Sequence, residues 1–352
     1  MNNAAHNIYI HVPYCMSKCN YCAFFSRACA NPDWGKYTAT ICNEISDWGN
    51  RLGKTDVPTV FFGGGTPSLM PTECCEKILT TIRQNFNVAD NAEITLESNP
   101  GTLNKNKLQQ MQDIGINRLS VGVQSLDDER LLFLGRRHTA NDALNLLTAA
   151  QDFGMRVSAD FIYGLPGDDA KYTEKLCNQI NTLGLQHCSL YELTIEPGTP
   201  FGKMNLNMPD NNEMAQMYVT IENTLNLARY EVSNYAAIGQ ECAHNQNVWD
   251  GQPYVGIGQG AAGRVLHNGI WYEQMGANER YVPMTNNARA TEKIITGMRT
   301  IRGCKLTDDV KQIIDTEWIM SHTDLVQISN NHIHATTRGM LVLDDIILNM
   351  VK

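Results

Sequence analysis

Six short β-rich runs alternate with amphipathic stretches along the first part of the chain, and no other feature restricts the fold as strongly. They are NIYIHV (7–12), TVFFGG (59–64), EITLES (93–98), RLSVGVQ (118–124), RVSADFIYG (156–164) and HCSLYELTI (187–195). Between them, segments such as YTATICNEISDWGNRL and CCEKILTTIRQNF space their apolar residues at helical intervals. Pro71 stands where a first helical turn would begin, and Gly115, Gly154 and Gly184 stand where helices would end. Strand–helix–strand repeated six times calls for parallel strands joined by right-handed crossovers. No GxGxxG follows the first run, which disfavours a dinucleotide-binding sheet, and six units fall short of a full eight-fold barrel. The predicted fold class is α/β: an incomplete (βα)6 barrel of the TIM type over residues 1–235, followed by a smaller, mainly α domain over 236–352.

Chemistry in such barrels collects at the C-terminal ends of the strands. Cys15, Cys19 and Cys22 follow the first run, GGGTP (63–67) ends the second, Glu97 the third and Gln124 the fourth. Asp160 lies in the fifth, with Glu192 and Glu196 near the end of the sixth. A disulfide would use two of the three cysteines and strand one. Structural zinc takes four ligands, usually as two separated pairs. Thiolates suit iron–sulfur clusters, and three of them leave one iron open to another ligand. Cys29, Cys42, Cys74 and Cys75 have no comparable spacing and read as small buried apolar residues. The glycines of GGGTP serve either a tight turn or the close approach of a ligand to backbone.

The formal charge of −9 argues against nucleic acid as the main partner, and no apolar run is long enough to span a bilayer. MNNAAHNIYIHV lacks the basic region and apolar core of a signal peptide. Eleven cysteines then point to reduced thiols in a cytoplasm.

C-x3-C-x2-C after a first strand, with GGGTP after the second, resembles the radical S-adenosylmethionine superfamily. The resemblance implies a 4Fe-4S cluster on Cys15, Cys19 and Cys22 whose open iron is chelated by S-adenosylmethionine. One electron from the cluster would cleave the sulfonium C–S bond and give a 5′-deoxyadenosyl radical. YIHVPYC, FFGGGTPSL, LESNPGTL, NRLSVGVQSLDD, DFIYGLPG and LYELTIEPGTP resemble, in order, the branch that holds oxygen-independent coproporphyrinogen III dehydrogenase. By those motifs it implies S-adenosylmethionine contacts at Tyr9, Gly64, Gly65, Thr66, Glu97, Gln124, Arg136 and Asp160, with Arg137 adjacent to Arg136.

Two features separate the chain from that enzyme and resemble the HemW-type heme chaperones. Phe24 stands where the dehydrogenase loop carries a further cysteine, and only eight residues precede Tyr9. CAHNQNVWDGQPYVGIGQGA matches the HNxxYW hallmark of these chaperones at His244, Asn245 and Trp249, with Val248 in place of the tyrosine. The resemblance implies heme as a ligand and His244 as the first candidate axial ligand; Cys242, His267 and His138 compete for that role. His11 is expected in the barrel wall. GQGAAG (258–263) formally matches a dinucleotide pattern but lies late in the chain, after a polar loop.

The expected function is therefore a cytoplasmic heme chaperone on a radical S-adenosylmethionine scaffold. It would pass heme to acceptor apo-proteins such as membrane respiratory enzymes, with no nucleic-acid partner and with a homodimer allowed. Cleavage of S-adenosylmethionine is expected, and turnover of coproporphyrinogen is not. The rival is the dehydrogenase of porphyrin biosynthesis, acting by hydrogen abstraction. Radical modification of RNA is disfavoured by the acidic charge.

Overall fold

A computed structural model describes residues 4–276 and 280–352. Strands β1 (Asn7–Val12), β2 (Asp56–Gly64), β3 (Asn87–Ser98), β4 (Arg118–Gln124), β5 (Arg156–Tyr163) and β6 (His187–Glu192) lie parallel, side by side, in chain order. β1, β4 and β5 are buried almost end to end, as parallel strands covered on both faces must be.

The crossovers carry helices α1 (Trp34–Leu52), α2 (Thr72–Asn85), α3 (Lys105–Asp113), α4 (Ala140–Asp152) and α5 (Ala170–Thr182). In α1 the spacing of Tyr37, Ile41, Ile45, Trp48 and Leu52 gives one buried stripe. Asp33 caps its start by accepting from the Lys36 amide. α4 opens on a capping box between Thr139 and Asp142. α3, α4 and α5 are followed by Gly115, Gly154 and Gly184, each at positive φ, as the sequence predicts.

The expectation of a mainly α remainder is only partly met. The HNQNVW segment is helical, in α7 (Ala243–Trp249), after α6 (Asn211–Thr224). Beyond it, Tyr254–Ile257 pairs parallel with β1, Asn7 facing Tyr254. With β7 (Ala228–Arg229) and β8 (Asn234–Ala236) added beyond β6, this strand is β9. β10 (Ala262–His267), β11 (Ile270–Met275) and β12 (Arg280–Pro283) continue antiparallel. The result is one twelve-stranded sheet in the order β12-β11-β10-β9-β1-β2-β3-β4-β5-β6-β8-β7. The division expected at residues 235 and 236 thus falls inside a continuous sheet.

A second core gathers Ala290, Ile294, Met298, Val310, Val326, Ile333, Ile346 and Met350. It is built on α8 (Asn286–Gly297), short helices toward the C-terminus, and a sheet of Cys304–Lys305, Val326–Ser329 and His332–Ala335. Backbone ties join it to the barrel: the Val232 amide donates to Arg299 O at 2.9 Å and the Ile301 amide to Tyr230 O at 3.2 Å.

Candidate cofactor and ligand site

Cys15, Cys19 and Cys22 lie half-buried in the loop after β1, and all three thiols are free. Backbone stitches this loop to the GGGTP turn after β2: the Gly65 amide donates to Val12 O at 2.7 Å and the Thr66 amide to Tyr14 O at 2.8 Å. A Cβ on Gly65 would stand 2.7 Å from Tyr14 O and 3.0 Å from Cys15 Sγ, so only glycine lets the two loops meet. Arg136 reaches in from another loop. Its Nη1 donates to Cys19 Sγ at 3.4 Å, and its Nη2 to Asn99 Oδ1 at 2.5 Å and Gly122 O at 2.8 Å. Arg137, next to it, is exposed.

Three half-buried thiols, one already receiving a guanidinium N–H, are a donor set that fits iron in a cluster. Among the described residues, no group of three or more His, Cys, Asp or Glu side chains is gathered so as to hold a metal ion. Burial pushes the Cys22 thiol up, and Cys19 and Cys15 add to the rise.

The strand ends of the barrel supply an acidic group. Glu97 Oε2 accepts the Gly64 amide at 3.1 Å. Burial, and after it Asp160, push the Glu97 carboxyl up to about 8, so it holds its proton at neutral pH. Asp160 accepts from Ser120 Oγ at 2.8 Å, Ser189 Oγ at 2.7 Å and Ser158 Oγ at 3.3 Å. Burial raises this carboxyl too, against the pull of those hydroxyls. No sequence motif singles out these serines. Their signal is a hydroxyl at matching points of buried strands: Ser120 faces Ser158, and Asp160 faces Ser189.

Gln124 sits at φ 67, where the register of β4 against β5 shifts. This bulge turns its amide back over Gly122, where a Cβ would lie 2.8 Å from Nε2. Asn99, which sequence reasoning also misses, donates to Thr66 Oγ1 at 3.0 Å and accepts from Arg136. Tyr9 OH lies 3.0 Å from His11 Nδ1, and His11 Nε2 lies 2.7 Å from Phe25 O. A carbonyl only accepts, so Nε2 donates, Nδ1 accepts and the Tyr9 hydroxyl donates. His11 is thus more than barrel wall: it joins Tyr9 to the cysteine loop.

A cavity of about 660 Å³ opens here. Tyr9, His11, Gly64, Glu97 and Asp160 line it from the barrel, Phe24 and Phe25 from the cysteine loop, and His244, Asn245, Val248 and Trp249 from α7. A smaller pocket of about 50 Å³ is lined by Cys19, Thr66, Asn99, Arg136 and His138 among others.

His244 is 5 % exposed, with its ring 5.0 Å from that of Phe61. Its Nδ1 lies 2.7 Å from Thr59 Oγ1, and that hydroxyl donates its one hydrogen to Asn7 Oδ1 at 2.8 Å. The Thr59 oxygen therefore accepts from Nδ1–H, which leaves the lone pair on Nε2. Burial pulls the imidazole down to about 4, with Glu93 opposing and Arg118 assisting, so it is neutral at pH 7.

The competing ligands stand elsewhere. Cys242 Sγ turns to Glu93 at 3.5 Å, His138 Nε2 meets Val123 O at 3.2 Å, and His267 ends β10. In GQGAAG, the Gly258 amide donates to Glu44 Oε2 at 2.9 Å and Gly260 packs beneath the Phe25 ring. Gly258 thus brings backbone against β1 and α1, and Gly260 against the cysteine loop.

Residues 9–180 match the family profile of the Radical SAM superfamily. The heme chaperone HemW of Escherichia coli is 36% identical over 264 residues, covering 74% of this chain and 70% of that one. The heme chaperone HemW of Bacillus subtilis is 33% identical over 266 residues, covering 73% and 70%. Among solved structures, the coproporphyrinogen III oxidase HemN of Escherichia coli, a radical SAM enzyme, aligns with a TM-score of 0.82 at 17% identity. It covers 99% of this chain and 90% of that one, a likeness of fold. By sequence relatives and fold together, the chain belongs to the HemW family of the radical SAM superfamily.

Proposed function

We propose that this protein is a heme chaperone that holds heme in the cavity at the barrel mouth and passes it to acceptor apo-proteins. One observation carries the reading: a single cavity is lined at once by Phe24 and Phe25 of the cysteine loop, by Glu97 and Asp160, and by a neutral histidine whose Nε2 has no hydrogen-bond partner among the described residues. The heme-chaperone names of the bacterial relatives support it.

In this reading Cys15, Cys19 and Cys22 hold a 4Fe-4S cluster, while Tyr9, Gly64, Gly65, Thr66, Glu97, Gln124, Arg136 and Asp160 hold S-adenosylmethionine. When bound, the pair supplies one-electron chemistry at a sulfonium centre. Arg136 places positive charge beside Cys19 and fixes its loop to Asn99 and Gly122. Protonated Glu97 offers an O–H donor to a ligand at the strand ends. Phe61 and Trp249 offer flat apolar surface, and His244 Nε2 offers a nitrogen donor of a kind that suits heme iron. Phe24, 71% exposed at the rim, gives no thiol to the loop.

A cytoplasmic setting accords with eleven free cysteines. Among the described residues no helix is long and apolar enough to cross a membrane. A membrane respiratory enzyme would then receive heme at the membrane surface.

The test is a heme titration on cluster-reconstituted protein, followed by a coproporphyrinogen assay. We expect about one heme per chain with a Soret shift, weakened by His244→Ala and little changed by His267→Ala. A His244→Ala titration that overlays the parent's would move the ligand elsewhere. Sustained conversion of coproporphyrinogen III to protoporphyrinogen IX would identify the protein as the dehydrogenase instead.

A further inference from the structure

The large cavity has two polar groups that no neighbour satisfies. Trp249 Nε1 and Arg299 Nε are both buried N–H donors, and neither finds a hydrogen-bond partner among the described residues. Both side chains line the cavity, and the Arg299 guanidinium carbon lies 5.2 Å from the centroid of the Trp249 ring. Buried donors left unmade are costly, and in native proteins nearly all are paired.

The placement of Arg299 is not loose. Its carbonyl accepts from Val232, and the Ile301 amide donates to Tyr230 O, so backbone bonds pin this turn while Nε finds no acceptor among the described residues. Arg118, the other arginine on the cavity wall, is already 3.9 Å from Glu93. Glu231 also lines the cavity and feels the Arg299 charge, but its Oε1 is taken by the Ser233 amide and by Asn234 Nδ2. Burial, the larger influence, pushes the Glu231 carboxyl up toward its neutral form.

We infer that Arg299 and Trp249 form a carboxylate-binding subsite that takes an acidic side arm of the tetrapyrrole. A carboxylate has two oxygens, each able to accept, and its charge answers a guanidinium beside which Glu231 already accepts from Ser233 and Asn234. The neighbouring indole keeps water from the guanidinium face and strengthens that pairing. The subsite rests on the heme reading and adds an orientation to it: the acidic edge of the ligand faces the second core, beside which Arg299 projects.

The experiment compares ferric protoporphyrin IX with its dimethyl ester, which caps both carboxylates, by absorbance titration of the full cluster-reconstituted chain. The parent should bind the diacid about tenfold or more tightly than the ester, the discrimination expected of a charge-assisted contact. Arg299→Met should cut that ratio below about threefold. Arg299→Lys should restore part of it, and Trp249→Phe, which keeps an aromatic ring but not the N–H, should fall between. Iron content and melting temperature of each variant check that it is folded. A folded Arg299→Met protein with the parental ratio overturns the subsite and leaves heme binding standing. A parent that binds neither porphyrin overturns the heme reading and the subsite with it.

Discussion

Glu97 and His244 line one cavity, yet burial moves them in opposite directions, Glu97 up to about 8 and His244 down to about 4. Each is uncharged at neutral pH because burial penalises whichever form is ionic. The supports differ more than the groups. Glu97 projects from a strand of the parallel sheet, and Asp160 beside it is held by serines from β4, β5 and β6. His244 rides on a seven-residue helix whose first amides, at Ala243 and His244, donate to Glu93 at 3.1 and 3.0 Å. Its ring is oriented through Thr59 to Asn7. One wall is positioned by the sheet, and the other by a short chain of side-chain hydrogen bonds.

If the walls are independent, Cys19→Ala should empty the barrel side of cluster iron, from about four per chain to near none. Heme affinity, read on the other wall, should stay within about threefold. Joint loss of both would show that the loop and α7 assemble as one unit.

Arg136→Ala should cost about 1.5–3 kcal/mol in denaturant unfolding, because charge-assisted bonds to Cys19, Asn99 and Gly122 go with it. Exposed Arg137→Ala should stay within about 0.5 kcal/mol. Equal effects would mean that the inward guanidinium does not anchor the loop.

Thr59→Val keeps the shape and removes the hydroxyl between Asn7 and His244. It should cost about 1–2 kcal/mol and weaken heme about tenfold by freeing the imidazole, with S-adenosylmethionine affinity unmoved. An unchanged heme titration would break the proposed link between tautomer and binding.

A further effect is on pH dependence. The folded pKa of Glu97 lies above its ordinary 4.5, so the folded state binds more protons between 4.5 and about 8. Its contribution is intact below that window and is lost as pH rises through it. His244, lowered from 6.5 to about 4, contributes above 6.5 and loses its contribution as pH falls toward 4. Melting curves of cluster-free Glu97→Gln should therefore fall less than the parent's from pH 5 to 8. A parent and variant with superimposable pH profiles would remove Glu97 from this role.

What can be read from the sequence follows the same line between the walls. β1 and β4 fall on the predicted residues, since buried parallel strands are continuous apolar runs. β2 and β3 begin earlier than predicted, at Asp56 and Asn87, because strand ends are set by what pairs beside them. Strand-end residues such as Glu97 and Asp160 are legible from position alone. Thr59, Asn99 and Arg299 are not, since each acts only beside a residue far away in sequence. α7 reads as loop because its residues are polar and its stability comes from Glu93, outside its own periodicity. The place of β9 beside β1 depends on an edge that no local pattern reveals.

That place beside β1 has a consequence for synthesis. Asn7 donates its side-chain amide to Pro253 O, 246 positions along the chain, and Asn7 to Ile10 run against Tyr254 to Ile257. While the ribosome is still making the middle of the protein, one flank of NIYIHV has no partner. A nascent chain thus carries an open, apolar, β-prone edge for most of its translation, the kind of template on which strands from other molecules add. Closing so distant a pairing is slow, because the loop entropy is met before the contacts form. The last strand to join the parallel sheet is therefore the one that ends the first strand's exposure, and truncations that stop short of residue 254 should aggregate through the N-terminal strand.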